Sequence, residues 1–300
     1  MKKIPITIDT MPLIRYRDLL LDNENYIPVT YKGSGLEEKD ISIIDGKQPL
    51  NIYAEVESMI DKADEWYNGS GDNDICTENR NMSMIELPNI LHFSITPFCD
   101  KFTLQLRIKQ LDREKIFWSI GSKEYSALFG IRRFDYSVLR KQCSTEKVDV
   151  YIKNNIIEAE KKGYRAVIWN IPGGIDKRIE WADSSNFVSS IAGKNIALCI
   201  ISIPYTYDIE EIHGYINHVK REFKLKVNYV CMSNLIVDWS KSCWKENRIF
   251  YYTIKKDNAW KKKLNLLIRE SVGINLIDVD DSGDMEILFN VLNTIAMQTQ

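Results

Sequence analysis

The run Ile90-Leu-His-Phe-Ser-Ile95, followed by Thr96-Pro-Phe-Cys-Asp100 and then Lys101-Phe-Thr103, decides the fold class. Its first six residues are nearly all apolar, the pattern of a strand buried on both faces of a parallel sheet. A short loop follows, and helix-like apolar spacing then runs over residues 101–113. Strand, loop, lysine, hydroxyl residue and helix, in that order, form the layout of a phosphate-binding loop. In such a loop the backbone N–H groups and the helix N-terminus face the phosphates, and the lysine meets their charge. The detail departs from that pattern. None of residues 94–102 is glycine, Pro97 removes an N–H, and Asp100 puts a negative charge, which opposes an anion, where the second glycine of such a loop normally sits. A nucleotide is the cofactor that the layout would take, and the glycine-free loop argues against it. A turn of the same topology that holds no nucleotide is the competing reading.

Working outward, apolar runs at 116–120, 166–170, 195–203, 226–232, 248–254 and 273–279 read as strands. Helical periods at 148–162, 209–223, 260–270 and 285–297 separate them, the first stopped by Gly163. Strands alternating with helices predict an open, mostly parallel sheet with right-handed crossovers. Upstream, strands at 4–8, 26–31, 41–44 and 51–54 alternate with helical stretches at 13–21 and 58–67. The polar, glycine-rich stretch Asn68-Gly-Ser-Gly-Asp-Asn-Asp74 punctuates the chain. The expected organisation is an N-terminal Rossmann-like domain over 1–86 and a larger P-loop-NTPase-like, mostly parallel α/β sheet domain over 87–300.

Length agrees with two domains, since 300 residues at roughly 150 per domain make two. Forty Lys+Arg against 42 Asp+Glu give a net charge of −2, which excludes a polybasic nucleic-acid coat. No apolar run nears the roughly 18–20 residues a bilayer needs. The start, Met1-Lys-Lys-Ile-Pro, has an apolar stretch broken by Asp9 and Pro12, so no signal peptide is expected. These features predict a cytoplasmic protein with no membrane partner. The 6 cysteines are scattered without a C-x-x-C, and the 3 histidines form no cluster, so no metal site is expected.

Asn170-Ile-Pro-Gly-Gly-Ile175 follows the central strand, where nucleotide hydrolases place a metal-binding acid. An asparagine there lacks the charged oxygen, and Pro-Gly-Gly permits either a tight strand-exit turn or a ligand-facing rim. Lys32-Gly-Ser-Gly-Leu-Glu-Glu-Lys-Asp40 reads as a solvated loop or a small anion nest. Cys99 sits near a helix start, which favours thiolate, beside Asp100, which opposes it. His92, inside a buried strand, reads as a core histidine, as Cys199 and Cys231 read as core thiols. The aromatic and basic tail (Trp239, Trp244, Tyr251, Tyr252, Trp260 among lysines) fits a helix with its aromatics packed inward better than a nucleic-acid surface.

Several blocks, in order, resemble a clostridial peptide maturation system protein family. They are Tyr31-Lys-Gly-Ser-Gly-Leu-Glu-Glu-Lys-Asp-Ile-Ser-Ile-Ile-Asp-Gly46, Asp100-Lys-Phe-x-x-Gln-Leu106, Ser119-Ile-Gly-Ser-Lys-Glu-Tyr-x-x-Leu-Phe-Gly130 and Ile171-Pro-Gly-Gly-Ile175. Ser233-Asn234 with Asp238-Trp239 is a further block. The resemblance implies an accessory protein encoded with a radical-SAM maturase and a Cys-rich ribosomal precursor peptide, both of them expected partners. It also implies a degenerate nucleotide-binding domain, since relatives carry a glycine-bearing loop where this chain has Thr-Pro-Phe-Cys-Asp. On that reading Lys101 and Thr103 would face phosphate, Asn170 and Gly173 would form the rim, and Ser122 would lie near the second strand exit. No catalytic residue is expected. The alternative is an ATP- or GTP-dependent enzyme with an atypical loop, and a weaker one is a nucleic-acid-binding regulator using the basic tail.

Overall fold

The computed structural model describes residues 4–7, 26–31, 42–44, 87–97, 99–122, 131–139, 143–176, 183–204, 207–238, 240–241, 251–253 and 258–298. Only the backbone is described at 4–7, 26–31, 42–44, 251–253, 258 and 272. The chain divides into two compact units, residues 1–75 with 235–254, and residues 76–234 with 255–300. The expected boundary near 86, the glycine loop at 32–40 and the helices at 13–21 and 58–67 lie outside the described residues.

In the first unit β1 (Ile4–Thr7), β2 (Tyr26–Tyr31) and β3 (Ser42–Ile44) form a parallel sheet in that order. The second unit begins with β4 (Asn89–Ser94), α1 (Phe102–Leu111), β5 (Phe117–Gly121) and β6 (Arg132–Arg133). It continues with α2 (Thr145–Lys161), β7 (Ala166–Asn170), α3 (Ser185–Ala192), β8 (Ile196–Ser202), α4 (Ile209–Glu222) and β9 (Tyr229–Met232). The chain returns to the first unit for β10 (Leu235–Val237) and β11 (Tyr251–Thr253), an antiparallel pair. It then closes the second with α5 (Asn258–Val272), β12 (Asn275–Asp278) and α6 (Ser282–Met297). The strand expected at 248–254 therefore forms as β11, in a two-stranded sheet of its own.

The large sheet has the order β12-β9-β8-β4-β7-β5-β6, and every pairing in it is parallel. This is the open, parallel α/β sheet that the chain pattern predicts. β4 is central and all six of its residues are buried, as a strand with helices over both faces requires. Leu91 and Phe93 face one side, where Val148 and Ile152 of α2, Phe187 and Ile191 of α3, Ile212 and Val219 of α4 and Ile268 of α5 complete the core. Ile90 faces the other, against Leu104 and Ile108 of α1 and Met285, Leu288 and Leu292 of α6. Burying side chains of this size stabilises by roughly 1.5–3 kcal/mol each.

The chain leaves β4 for β5 on one side and later lays β8 on the other, so its connections diverge around β4. Ligands of open α/β sheets bind beyond the strand carboxyl ends at such a point. Those ends lead into residues 95–97, 171–176 and 203–204.

Candidate functional site

His92 and Ser94 bring β4 to its exit. His92 is buried, and its Nε2 lies 2.7 Å from Ser202 Oγ on β8, so it is a hydrogen-bonded core histidine. Burial, and then the nearby Lys101 ammonium, pull its pKa from 6.5 down to about 3, so it stays neutral. The Ser94 hydroxyl donates to the carbonyls of Thr96, at 2.7 Å, and Gly173, at 3.0 Å.

The Pro-Gly-Gly turn lies directly against this exit. Ile171 N–H donates to His92 O at 2.9 Å, Ile175 N–H to Ser94 O and Ile95 O at 3.1 Å each, and Asp176 N–H to Ile95 O at 3.0 Å. Gly173 adopts φ +77°, in the left-handed region where glycine is at ease. At Gly174 a Cβ would come within 2.5 Å of Ile95 O, a backbone atom, so the approach demands glycine.

Lys101 begins α1 but turns back beneath the Pro-Gly-Gly turn. Its ammonium donates to Ile171 O at 2.8 Å and to Gly173 O, and it is buried. Burial lowers its pKa from 10.5 to about 8. Asp100 stands just before α1, one residue ahead of its N-cap Lys101. Its carboxylate accepts from Thr103 N–H at 3.0 Å, from the Thr103 hydroxyl at 2.5 Å and from the Ser233 hydroxyl beyond β9 at 2.7 Å. A helix N-terminus carries roughly half a positive charge, and here the chain's own carboxylate meets it. Cys99, buried, lies 3.6 Å from Thr96 Oγ1, and burial pushes its thiol pKa up, the opposite of an activated nucleophile.

Of the residues singled out from sequence, Lys101 and Gly173 meet directly, and Thr103 joins them through Asp100. Asn170 stands apart, donating to Gln105 Oε1 of α1 at 2.5 Å. That amide pair leaves Gln105 Nε2 and Asn170 Oδ1 buried without partners, as is Ser122 Oγ at the exit of β5. Gly121 packs on the same amide, since a Cβ there would come within 2.7 Å of Gln105 Oε1. Gln105 and Ser233 stand in the quoted sequence blocks without an assigned role, and Ser202 is not singled out, because residues distant in the chain supply their partners. Sequence reading also assigns no element to α3, where Phe187, Val188 and Ile191 are buried on the core side of the helix.

The inward packing expected for the tail is seen at Trp260, which packs on the core, while Lys261 pairs with the buried Asp278. Trp239 and Trp244 lie outside the described residues. Among the described residues, no helix is long and apolar enough to cross a membrane.

No family model matches the chain, and no curated protein does. Among solved structures, it is similar to the signal recognition particle 54 kDa protein from Aeropyrum pernix K1 in complex with GDP, at 9% identity and a TM-score of 0.38. The match covers 81% of this chain and 56% of that one, so the chain spans little more than half of that protein's length. The fold stated above rests on strand order and direction, not on this likeness.

Proposed function

We propose that this chain is a non-catalytic accessory protein in the maturation of a ribosomally synthesised, Cys-rich peptide. It uses a P-loop-like sheet as a binding scaffold for the precursor peptide, the radical-SAM maturase, or both. One observation carries the reading: Asp100 fills the helix N-terminus and Lys101 is spent on the carbonyls of Ile171 and Gly173. Donors that would face phosphate are thus satisfied inside the protein, and a carboxylate stands where the anion would go. Phosphoryl transfer also calls for a metal-binding acid, and Asn170, at the matching strand end, is paired with Gln105. The blocks that carry the family resemblance support the reading too, since Asp100, Lys101, the 171–173 turn and Ser233 converge in space.

The competing reading is an ATP- or GTP-dependent enzyme in which Lys101 swings onto phosphates. Calorimetry with magnesium ATP and GTP separates the two. The expected result is no binding, together with capture of the precursor peptide and maturase by the tagged full chain. Nucleotide binding that Lys101→Ala abolishes would overturn the proposal, and so would failure to capture either partner.

A further inference from the structure

The outermost strand at one side of the large sheet is held by side chains from both of the sheet's faces. Among the described residues β12 pairs with β9 alone, in a register that sets Leu276 beside Val230 and Asp278 beside Met232. In a parallel ladder the amides of alternate residues point to the neighbouring strand, and those between them point away. Val279 N–H points to β9 and donates to Met232 O at 3.1 Å. The amides of Leu276 and Asp278 therefore point outward, where a further strand would pair with them.

Both outward amides are already taken. Leu276 N–H donates to Asn265 Oδ1 of α5 at 3.1 Å, and Asp278 N–H donates to Asp284 Oδ2 of α6 at 2.9 Å. The Asp278 carbonyl accepts from Asp281 N–H at 2.9 Å in the turn that follows. α5 packs into the core on one face of the sheet through Leu264 and Ile268, and α6 packs on the other through Met285 and Leu288. Two helices on opposite faces thus each carry one acceptor to the edge. Each acceptor is anchored. Asp284 N–H donates to the Asp281 carboxylate at 3.0 Å at the start of α6. Lys261, one turn before Asn265 on α5, pairs with the Asp278 carboxylate.

A row of unpaired outward amides is what lets two sheets join edge to edge. A second copy of this chain presents the same strand, and a two-fold axis would set the two β12 strands antiparallel. We infer that Asn265 and Asp284 guard this edge: by holding the two outward amides of β12, they keep a second copy of the chain from adding its own β12 to the sheet.

The test combines amide hydrogen exchange, read on dilute protein, with sedimentation of the full chain. In the wild type the Leu276 and Asp278 amides should exchange slowly although they lie at an edge. In Asn265→Ala the Leu276 amide should exchange about tenfold faster, while Val279, bonded to β9, keeps its rate. Alanine favours the helix, so α5 stays formed. In Asn265→Ala/Asp284→Ala both outward amides should lose protection, and the average mass should rise above that of the wild type as concentration increases. Asp284→Asn keeps an oxygen acceptor of the same reach and should sediment as the wild type does. Fast exchange of both amides in the wild type, an unchanged Leu276 rate in Asn265→Ala, or association by Asp284→Asn overturns the assignment. So does a folded double variant that sediments as the wild type. Where the double variant loses its cooperative melting transition, the Leu276 rate in Asn265→Ala decides alone.

Discussion

The helices that follow β4 and β8 open with the same local chemistry and end in opposite circumstances. Asp100 accepts from Thr103 N–H at 3.0 Å, and Asp208 accepts from Glu211 N–H at 2.8 Å, each carboxylate serving the amide three residues on. Asp208 is exposed, and its partner Glu211 faces an open cleft. Asp100 is buried, with Ser233 from another strand exit closing over it. An aspartate of this kind does little more than start a helix where water reaches it. In the middle of a sheet the same residue becomes the anchor of a network and closes a site.

The largest expected effect follows from that contrast. Asp100→Ala removes the buried acceptor of the Thr103 hydroxyl, the Ser233 hydroxyl and a helix N–H, and should lower unfolding free energy by about 3 kcal/mol. Asp208→Ala, at the exposed cap, should lose only about 1 kcal/mol. Urea unfolding of both variants checks the pair, and equal losses would erase the distinction.

A pH series sharpens it next. Because His92 titrates near 3 in the folded chain against 6.5 in the unfolded one, the unfolded state binds the extra proton between those values. Stability contributed by neutral His92 is therefore complete above pH 6.5 and is lost as the medium is acidified toward 3. Relative to His92→Gln, the wild type should lose about 1.4 kcal/mol for each pH unit in that window. A flat difference would mean that water reaches the closed exit.

The smallest effect belongs to the open side. Gly214→Ala, on the face of α4 that lines the same cleft, should raise stability by roughly 0.5–1 kcal/mol, seen as a higher melting temperature, because the helix gains propensity and a Cβ there meets nothing within 4 Å. A loss would mean that the glycine packs against the chain after all.

Much of the scaffold is visible in residue order. The six buried residues of β4, the lysine at the head of α1, and Gly163 ending α2 at φ +78° all follow from local pattern. Boundaries moved where a cap outweighed apolar spacing. α6 starts at Ser282 and not at 285, because the Asp281 side chain accepts from Asp284 N–H. The candidate site was half legible. Lys101, Thr103 and Gly173 do gather at one strand exit, but Lys101 is held by Ile171 O and Gly173 O, and the Asp100 that serves Thr103 is closed over by Ser233, pairings that no local period announces.

Hydrophobic period, glycine placement and the order of strands and helices were enough to specify a mostly parallel α/β sheet with a helix beginning near residue 101, since each depends on near neighbours in the chain. Which groups meet at the sheet edge was decided only on folding. Whether a carboxylate caps in water or locks a buried turn, and whether a helix glycine faces a cleft, depends on strands brought together from more than a hundred residues apart. Burial sets the strength of those charges and hydrogen bonds, and burial is a property of the packed molecule.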